Sequence, residues 1–346
     1  MFDLEQAKQD LEEQKRLIKS MLGGINEYLE RNDVTDIMLN PDGYIWIDTY
    51  KGTEKTIKVS EEQAQSIMRT VAKFNNKELD NKNPIISGTL PTGERFEGLT
   101  GEITYFKTVF SIRKKASRIM SLDEYEETGF ITKEQKEYIT ESVKNKRNIL
   151  VIGGTGSGKT TFTNACLDIL KDTTDRIIML EDTDELQCPA PNQIKLKSTA
   201  IIEIQKLLQS TMRMNPIRII VGELRRGKET LELLKAWNSG HSGGLSTIHA
   251  DDCRGGLLKL KQYIQEETEG DSSITIANSV HILINIVKED NKRYVREIME
   301  IKGYSEETKK YELKKIYDRR DNGNKSNKGF IRTKKGIWSD DFIFRS

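Results

Sequence analysis

From about residue 130 onward, the chain alternates short apolar runs with longer amphipathic stretches. The short runs predict buried strands, and the longer stretches repeat apolar positions at a helical spacing. The predicted strands are Ile149–Ile152, Arg176–Leu180, Ile217–Val221, Leu245–Ile248 and Ile282–Val287. The predicted helices cover residues 161–171, 201–213, 228–238 and 255–266, and residues 294–301 and 309–317 predict a terminal hairpin. Alternating strands and helices indicate an α/β domain with a largely parallel central sheet.

The first third of the chain mixes helical and strand patterns. Residues 1–32 have apolar positions at helical spacing, which predicts an amphipathic helix with one exposed side. Residues 34–40 and 44–50 flank a Pro-Asp-Gly turn and predict a hairpin. Ser60 followed by Gln63 predicts the capped start of a helix over 61–78. Residues 84–112 are rich in strand and turn residues.

These patterns predict four segments. An N-terminal α+β domain covers residues 1–113, a charged linker covers 114–130, and the α/β domain covers 131–318. Ser121 and Thr132 are candidate helix caps after the linker. Residues 319–346 are polar, basic and rich in Gly and Asn, which predicts a flexible tail. A chain of 346 residues is long enough for two hydrophobic cores.

The composition narrows the class of protein. With 55 Lys and Arg against 54 Asp and Glu, the formal net charge is +1, so no global field favours nucleic acid or an anionic membrane. The mean hydropathy is −0.61, and no apolar run approaches the roughly 20 residues that span a bilayer. The N-terminus has no apolar signal core, so we expect a cytoplasmic protein. Three scattered cysteines, Cys166, Cys188 and Cys253, predict reduced core thiols and neither a disulfide framework nor a zinc site.

The strongest chemical signal follows the first predicted strand of the α/β domain. Residues 153–160 read G-x-x-x-x-G-K-T between an apolar strand and a helix, which is the context that a P-loop requires. Glycine-rich backbone amides and a helix N-terminus bind phosphate, Lys159 reaches the β- and γ-phosphates, and Thr160 ligates Mg²⁺. The predicted nucleotide-binding residues are Gly154, Thr155, Gly156, Ser157, Gly158, Lys159, Thr160 and Thr161. The sequence therefore predicts that ATP and Mg²⁺ bind here.

Two further strands end in acids. The strand Ile217–Val221 leads into Glu223, which fits a Walker B acid that serves the Mg²⁺ shell. The strand ending at Leu180 leads into Glu181, the first of four acids in five residues. A carboxylate there can orient or deprotonate the attacking water. The alternatives are a buried strand with an exposed terminal acid and a solvated acidic loop.

Histidines and arginines complete the candidate site. His241 and His249 flank a glycine-rich loop and a strand, which suits a γ-phosphate sensor, while hydrogen-bonded structural histidines are the alternative. Their spacing of eight residues, without a third ligand nearby, argues against a metal pair. Arg95 and Arg113 precede the α/β domain. A guanidinium suits a phosphate reached from another domain, but by itself this pattern favours surface salt bridges.

Four sequence boxes in this order resemble the type II/type IV secretion ATPase superfamily. They are the P-loop, the acidic box at 180–186, the Gly-Glu-Leu-Arg run at 222–225 and the histidine box at 240–250. Within it, residues 36–48 and 234–250 look like the Trb-type (TrbB) conjugative-transfer ATPases. The resemblance covers roughly residues 28–302. It implies an α/β fold, with a RecA-like P-loop ATPase core and a smaller α+β N-terminal domain that packs over the nucleotide.

The resemblance also implies roles and partners. Arg95 and Arg113 match family arginines that reach the nucleotide, Glu181 matches the residue that activates water, Glu223 matches the Walker B acid, and His241 and His249 match the histidine box. The family works as homohexameric rings on secretion or conjugation machinery, in peripheral contact with the inner face of the cell membrane. His281 and Arg226 depart from the usual residues, but neither removes a catalytic group. The four cysteines of the zinc-bearing branch are absent, so no zinc is expected.

These observations favour a cytoplasmic, hexameric Mg²⁺-ATPase that powers a conjugative type IV secretion apparatus. A type IV pilus or type II secretion motor shares all four boxes and is the first alternative. A RecA-like nucleic-acid motor is the second, although the near-zero net charge and the lack of a long basic or aromatic stripe argue against direct nucleic-acid binding. A regulator that binds nucleotide without turnover is the third, but all the acids needed for hydrolysis are in the sequence.

Overall fold

A computed structural model describes residues 4–49, 52–115, 119–199, 201–290 and 292–323. They divide into two compact units, within Met1–Arg118 and Ile119–Ser346. No helix in these described ranges is both long and apolar enough to cross a membrane.

The first unit is built on an antiparallel sheet. Its helices are α1 (Leu4–Leu22), α2 (Ile25–Glu30) and α3 (Glu61–Phe74), and its strands are β1 (Val34–Leu39), β2 (Tyr44–Thr49), β3 (Gly52–Lys58), β4 (Ile85–Thr89), β5 (Arg95–Leu99) and β6 (Val109–Arg113). The six strands lie in the order β3-β2-β1-β6-β5-β4. The α+β class predicted for this part is therefore confirmed.

The helices of this unit differ from the predicted ones in length. The predicted N-terminal helix is interrupted at Gly23, whose φ of +53° favours glycine. Ile18 and Leu22 are fully buried, so the end of α1 packs into the core of its own unit. At α3, Ser60 Oγ accepts a hydrogen bond from the amide of Gln63 at 3.1 Å, but the Gln63 side chain donates to the carbonyl of Met21 at 3.0 Å. Only the serine half of a capping box forms, because the Gln63 side chain bonds to Met21 and not back to the Ser60 amide.

The second unit is an α/β domain around a larger sheet. Its helices are α4 (Leu122–Glu127), α5 (Lys133–Lys144), α6 (Lys159–Asp168), α7 (Ile204–Thr211), α8 (Gly227–Asn238), α9 (Cys253–Gln265) and α10 (Ser273–Ser279), and its strands are β7 (Ile149–Gly153), β8 (Ile177–Glu181), β9 (Gln193–Lys197), β10 (Arg218–Leu224), β11 (Leu245–Ile248), β12 (Ile282–Glu289), β13 (Lys292–Ser305) and β14 (Lys310–Asp318). The strand order is β14-β13-β12-β7-β11-β10-β8-β9. From β12 to β9 all neighbours are parallel, and β13 and β14 add an antiparallel hairpin.

Helices cover both faces of this sheet. One buried cluster packs β7, β8 and β12 against α4, α5 and α6, with Phe162 of α6 fully buried. The other packs the opposite face against α7, α8, α9 and α10. Because they are buried along their whole length, β7 and β8 are almost entirely apolar, as central parallel strands require, whereas the edge strand β9 alternates polar and apolar residues. The predicted α/β fold with a largely parallel sheet is confirmed.

Several segments differ from the sequence patterns. Residues 119–130, assigned to the linker, lie in the second unit, where Leu122 and Tyr125 of α4 are buried. Ser121 and Thr132 both form capping boxes, at the starts of α4 and α5. The strands β3 and β9 and the helix α10 were not predicted. Of the predicted tail, residues 319–323 form a 3₁₀ helix, and 324–346 lie outside the described residues.

The three cysteines are buried free thiols. Burial raises the pKa of each thiol.

Candidate functional site

The phosphate-binding loop has the predicted strand–loop–helix geometry. The loop leaves the fully buried β7 at Gly153 and enters α6 at Lys159. Gly156 (φ +69°) and Gly158 (φ +95°) adopt left-handed conformations, which only glycine adopts readily. Gly153 is enclosed instead: a Cβ there would lie 2.3 Å from the carbonyl oxygen of Ile286. The glycines thus shape the turn and let β12 approach it closely.

The loop has the donors and the space that a phosphate chain requires. Gly154 and Gly156 face open space. Among the described residues, apart from the two sequence neighbours of each glycine, no heavy atom lies within 4 Å of the position that a Cβ would take. Thr155 and Gly156 are exposed, Thr160 and Thr161 are half-buried at the start of α6, and Ser157 is buried. Within this described set the Ser157 hydroxyl has no hydrogen-bond partner. Buried polar groups are normally paired, so the loop fits a polar ligand.

Lys159 lies along the loop. Its Nζ donates to the carbonyl oxygens of Gly153 at 2.9 Å and Gly154 at 3.0 Å. Burial lowers the pKa of Lys159, and the negative charge of Glu223 opposes that shift. The loop therefore carries a partly desolvated ammonium group, for which a phosphate is a stronger partner than a carbonyl.

Glu181 lies at the end of β8 and is 4% exposed. Its Oε2 accepts hydrogen bonds from the amides of Glu185 and Leu186, both at 2.8 Å, and its Oε1 lies 3.0 Å from Lys195 Nζ. Burial raises the pKa of the carboxyl group above its ordinary value, although the two amides and Lys195 oppose the shift. A carboxylate with a raised pKa is a better proton acceptor than a solvated one.

Glu223 lies near the end of β10 and is paired with an arginine. Arg225 Nε donates to Glu223 Oε2 at 2.7 Å, and Arg225 Nη1 donates to Asp182 at 2.9 Å. Burial lowers the pKa of Arg225, but the carboxylates of Glu223 and Asp182 leave it above its ordinary value. The arginine thus links the acid of β10 to the acidic loop after β8.

The two histidines lie at opposite ends of β11. His249 follows the carboxyl end of this strand and is exposed, on the edge where the phosphate-binding loop leaves β7. His241 lies before the amino end, where its Nδ1 is 2.8 Å from the carbonyl oxygen of Pro216. Ligands of open parallel sheets bind at the carboxyl edge. Within this unit His241 therefore lies on the edge opposite the phosphate-binding loop, so this geometry does not support the prediction that it contacts a nucleotide bound here.

Arg95 and Arg113 lie in the first unit as direct cross-strand partners on β5 and β6. Direct partners in an antiparallel pair share one face, so two positive charges are side by side. Arg113 Nε donates to Asp36 on β1 at 2.8 Å, while Arg95 is exposed. Asp36 therefore offsets the charge of Arg113, and Arg95 beside it adds a positive charge on the same face.

Four strand ends of the second unit thus meet at one edge. The order β7-β11-β10-β8 aligns the phosphate-binding loop, His249, Glu223 and Glu181. With strands about 4.8 Å apart, Glu223 lies two strands from β7, about 10 Å, and Glu181 lies three strands away, about 14 Å. The order brings together all the predicted residues of this unit except His241.

Comparison with known proteins identifies the family. The sequence profile described as "Type II/IV secretion system protein" matches residues 20–324. The chain belongs to the type II/IV secretion system protein family.

Two named proteins are similar to the chain over most of its length. It is 37% identical over 305 residues to the probable conjugal transfer protein TrbB of Sinorhizobium fredii, covering 86% of this chain and 93% of that protein. It is 27% identical over 331 residues to the type IV secretion system protein VirB11 of Bartonella quintana, covering 82% and 92%. The resemblance to the secretion ATPases, and to TrbB among them, is therefore confirmed.

The fold also resembles a solved structure of this group. The crystal structure of the pilus retraction motor PilT with bound ADP superimposes with a TM-score of 0.60 at 17% identity, covering 88% of this chain and 84% of that one. At this level of identity the likeness concerns the fold alone.

Two residues outside the secretion-family boxes position the acidic loop. Asn164 of α6 is 2% exposed. Its Nδ2 donates to the carbonyl oxygen of Glu185 at 3.0 Å, and its Oδ1 accepts from the amide of Gln187 at 2.9 Å. The asparagine therefore ties the acidic loop to the helix that begins at the P-loop. In the sequence, the only indication of this role is that Asn164 is a polar residue close to the apolar positions of a helix that is expected to be buried.

Lys195 is the second missed residue. It lies on the edge strand β9 and contacts Glu181, Asp184 and the carbonyl of Leu186. Burial lowers the pKa of Lys195, but hydrogen bonding to Asp184 and the charge of Glu181 leave it above its ordinary value. The sequence had no signal for this contact, because β9 itself was not predicted.

Proposed function

We propose that this chain is a Mg²⁺-dependent ATPase that works as a homohexameric ring and powers a conjugative type IV secretion apparatus. The observation that carries the enzymatic part is the meeting of a P-loop, two strand-end carboxylates and His249 at one edge of the sheet. The similarity to TrbB along most of the chain supports the conjugative assignment.

The P-loop residues would bind the nucleotide. Backbone amides of residues 154–160 cradle the phosphates at the start of α6, and Thr161 follows in its first turn. Lys159 would exchange its two carbonyl partners for phosphate oxygens and neutralise charge on the γ-phosphoryl group. Thr160 and Glu223 would hold Mg²⁺, directly or through water. When bound, the ion neutralises phosphate charge.

Glu181 would act as the general base. Its Oε2 is held by two amides, so Oε1 is the oxygen that can accept a proton from water. Lys195 beside Oε1 favours the charged form of the buried carboxylate and so opposes the effect of burial. His249 would contact the γ-phosphate from the end of β11.

Arg95 and Arg113 are proposed to neutralise phosphate charge during the reaction, as the family resemblance implies. Their cross-strand pairing supports this, because two arginines on one face are stabilised by an anion. Charge neutralisation and positioning together are the main catalytic terms in phosphoryl transfer.

Variants of the P-loop lysine and the Walker B acid test the enzymatic part. Lys159→Ala and Glu223→Gln should each lower the ATPase rate by about 100-fold or more. Lys171→Ala, an exposed lysine in the turn after α6, is the control and should keep full activity. Undiminished turnover in both site variants would contradict the proposal.

Assembly and coupling need separate measurements. Light scattering with a non-hydrolysable ATP analogue and Mg²⁺ should give the mass of a hexamer, and the specific ATPase rate should rise cooperatively with protein concentration. A fully active monomer would exclude the ring mechanism.

We further propose that the protein acts in the cytoplasm, in peripheral contact with the membrane through the secretion machinery. Strong, salt-sensitive stimulation of ATPase by DNA would favour a nucleic-acid motor instead.

A further inference from the structure

The hairpin of β12 and β13 extends past the phosphate-binding loop. β12 runs parallel to β7, with Ile286 paired to Gly153, the first residue of the loop. β12 continues to Glu289 and β13 begins at Lys292, so the hairpin extends beyond the carboxyl end of β7. This hairpin therefore lies beside the loop.

Two basic residues of the hairpin lie on the same sheet face as α6. Ile286 of β12 and Val295 of β13 are in the cluster that packs beneath α6. Side chains of a strand alternate between faces, so Lys288 and Arg293, two positions away from them, are on this face as well. Lys288 and Arg293 are direct cross-strand partners.

Arg293 contacts the loop itself. Its Nε donates to the carbonyl oxygen of Gly156 at 2.9 Å, and its Cδ lies 3.7 Å from the Cβ position at Gly158. A guanidinium has five N–H donors, and this bond uses one of them. The side chain thus lies along the middle of the loop with donors remaining for a ligand.

The charges of this pair are not balanced by the protein. Across the described ranges, neither Lys288 nor Arg293 forms an ion pair with a carboxylate. Like charges that are direct cross-strand partners destabilise a sheet. A phosphate between them would remove that cost and satisfy the remaining donors of the arginine.

We propose that Arg293, assisted by Lys288, is a nucleotide-binding residue outside the four sequence boxes, and that it binds the α- and β-phosphates. The choice of the α- and β-phosphates follows from the contact of Arg293 with Gly156. The loop amides cradle these two phosphates, whereas Lys159 reaches towards the γ-phosphate. The inference rests on the proposed nucleotide-binding function of the P-loop.

Nucleotide affinity tests this role. The probes are ADP and a non-hydrolysable ATP analogue, each with Mg²⁺, and their dissociation constants are measured by calorimetry on the full chain. Arg293→Gln should weaken both ligands by a similar factor of about 10 to 100, because a charge-assisted hydrogen bond to a phosphate common to both is lost. Lys288→Gln should weaken both by about 2- to 5-fold, as an exposed charge does. Lys292→Gln, the exposed neighbour on β13, is the matched control and should bind as the wild type.

Two measurements distinguish direct phosphate binding by Arg293 from a role limited to supporting the loop. They are the nucleotide affinity of Lys288→Gln and the melting temperature of Arg293→Gln. Lys288 has no described contact with the loop, so it can act on affinity only through the ligand. Wild-type affinity in Arg293→Gln would overturn the proposal. So would a loss of affinity in Arg293→Gln that is accompanied by a lower melting temperature of the nucleotide-free protein, with Lys288→Gln unchanged. If Lys159→Ala also binds both nucleotides normally, the proposed function fails rather than this inference alone.

Discussion

The side chain of Asn164 offers a quantitative test of how the acidic loop is held. In Asn164→Ala, the carbonyl of Glu185 and the amide of Gln187 lose their partners, at 3.0 and 2.9 Å. An unpaired buried polar group costs about 1–3 kcal/mol. Both residues are half-buried, so water can reach part of each group. We therefore expect the free energy of unfolding to fall by about 2–3 kcal/mol, near the lower end of the sum of two such costs.

The effect should reach catalysis through Glu181. The same loop supplies the amides of Glu185 and Leu186 to Glu181 Oε2, so a loosened loop releases the proposed base. We expect kcat for ATP hydrolysis to fall by about 10-fold or more, which is part of the roughly 100- to 10,000-fold that general acid–base catalysis contributes. The dissociation constant of a non-hydrolysable ATP analogue should change little, because the P-loop is not part of this contact.

Urea unfolding and steady-state ATPase assays on the same preparations measure both effects. Thr163→Val is the matched control, since among the residues that the structure describes the Thr163 hydroxyl bonds only to the carbonyl of Lys159 within α6. Asn164→Asp keeps an acceptor for the amide of Gln187 but loses the donor to Glu185, so its kcat should lie between the wild type and Asn164→Ala. Unchanged stability and unchanged kcat in Asn164→Ala would refute the reasoning.

Three further predictions concern the histidines and the loop glycine. His249→Ala should lower kcat by about 10-fold or more. His241→Ala should leave kcat unchanged and lower the free energy of unfolding by about 1 kcal/mol, because the bond to Pro216 is lost. Equal losses of kcat in steady-state assays would contradict the different positions of the two side chains. Gly153→Ala should destabilise the protein by about 1–3 kcal/mol in urea unfolding, because its Cβ would meet the carbonyl of Ile286, and a stability equal to that of Gly154→Ala would contradict the close approach. Burial, with the nearby charge of Arg147, lowers the pKa of His281 to about 4. The unfolded chain therefore binds one proton more than the folded chain between the folded pKa and the ordinary value of about 6.5, so wild-type stability should fall as the pH drops through this range. After a discount for solvent screening, the wild type should lose about 1 kcal/mol more than His281→Gln between pH 7.5 and pH 5; parallel curves from urea titrations at the two pH values would rule this out.

Local motifs were read correctly where their partners are close in the chain. The capping boxes of Ser121 with Glu124 and Thr132 with Gln135 form as such patterns predict. The pattern at Ser60 looks the same, but there the glutamine side chain bonds to Met21, about 40 residues away. Residues three apart can be judged from the sequence, and a competing long-range partner cannot.

The different positions of the two histidines could be judged from the sequence. The sequence predicts a strand at Leu245–Ile248 between the two histidines. The two ends of a four-residue strand are about 13 Å apart. Only one end of a parallel strand faces the nucleotide, so both histidines of this box could not lie on the same edge of the unit. In contrast, Lys195 could not be found because its strand β9 is not predicted from the sequence, and Arg293 could not be found because it contacts Gly156, 137 residues away in the chain.

The sequence alone determined the phosphate-binding loop, the alternation that makes the second unit an α/β domain, and the strands that end in acids. These features are contiguous, so their geometry follows from local backbone preferences and hydrophobic periodicity. Only the tertiary structure decided which strand ends are neighbours, since the order β7-β11-β10-β8 differs from the order in the chain. Packing of helices on both faces fixes the whole sheet, which brings Asn164 and Lys195 to the acidic loop and Arg293 to the phosphate-binding loop.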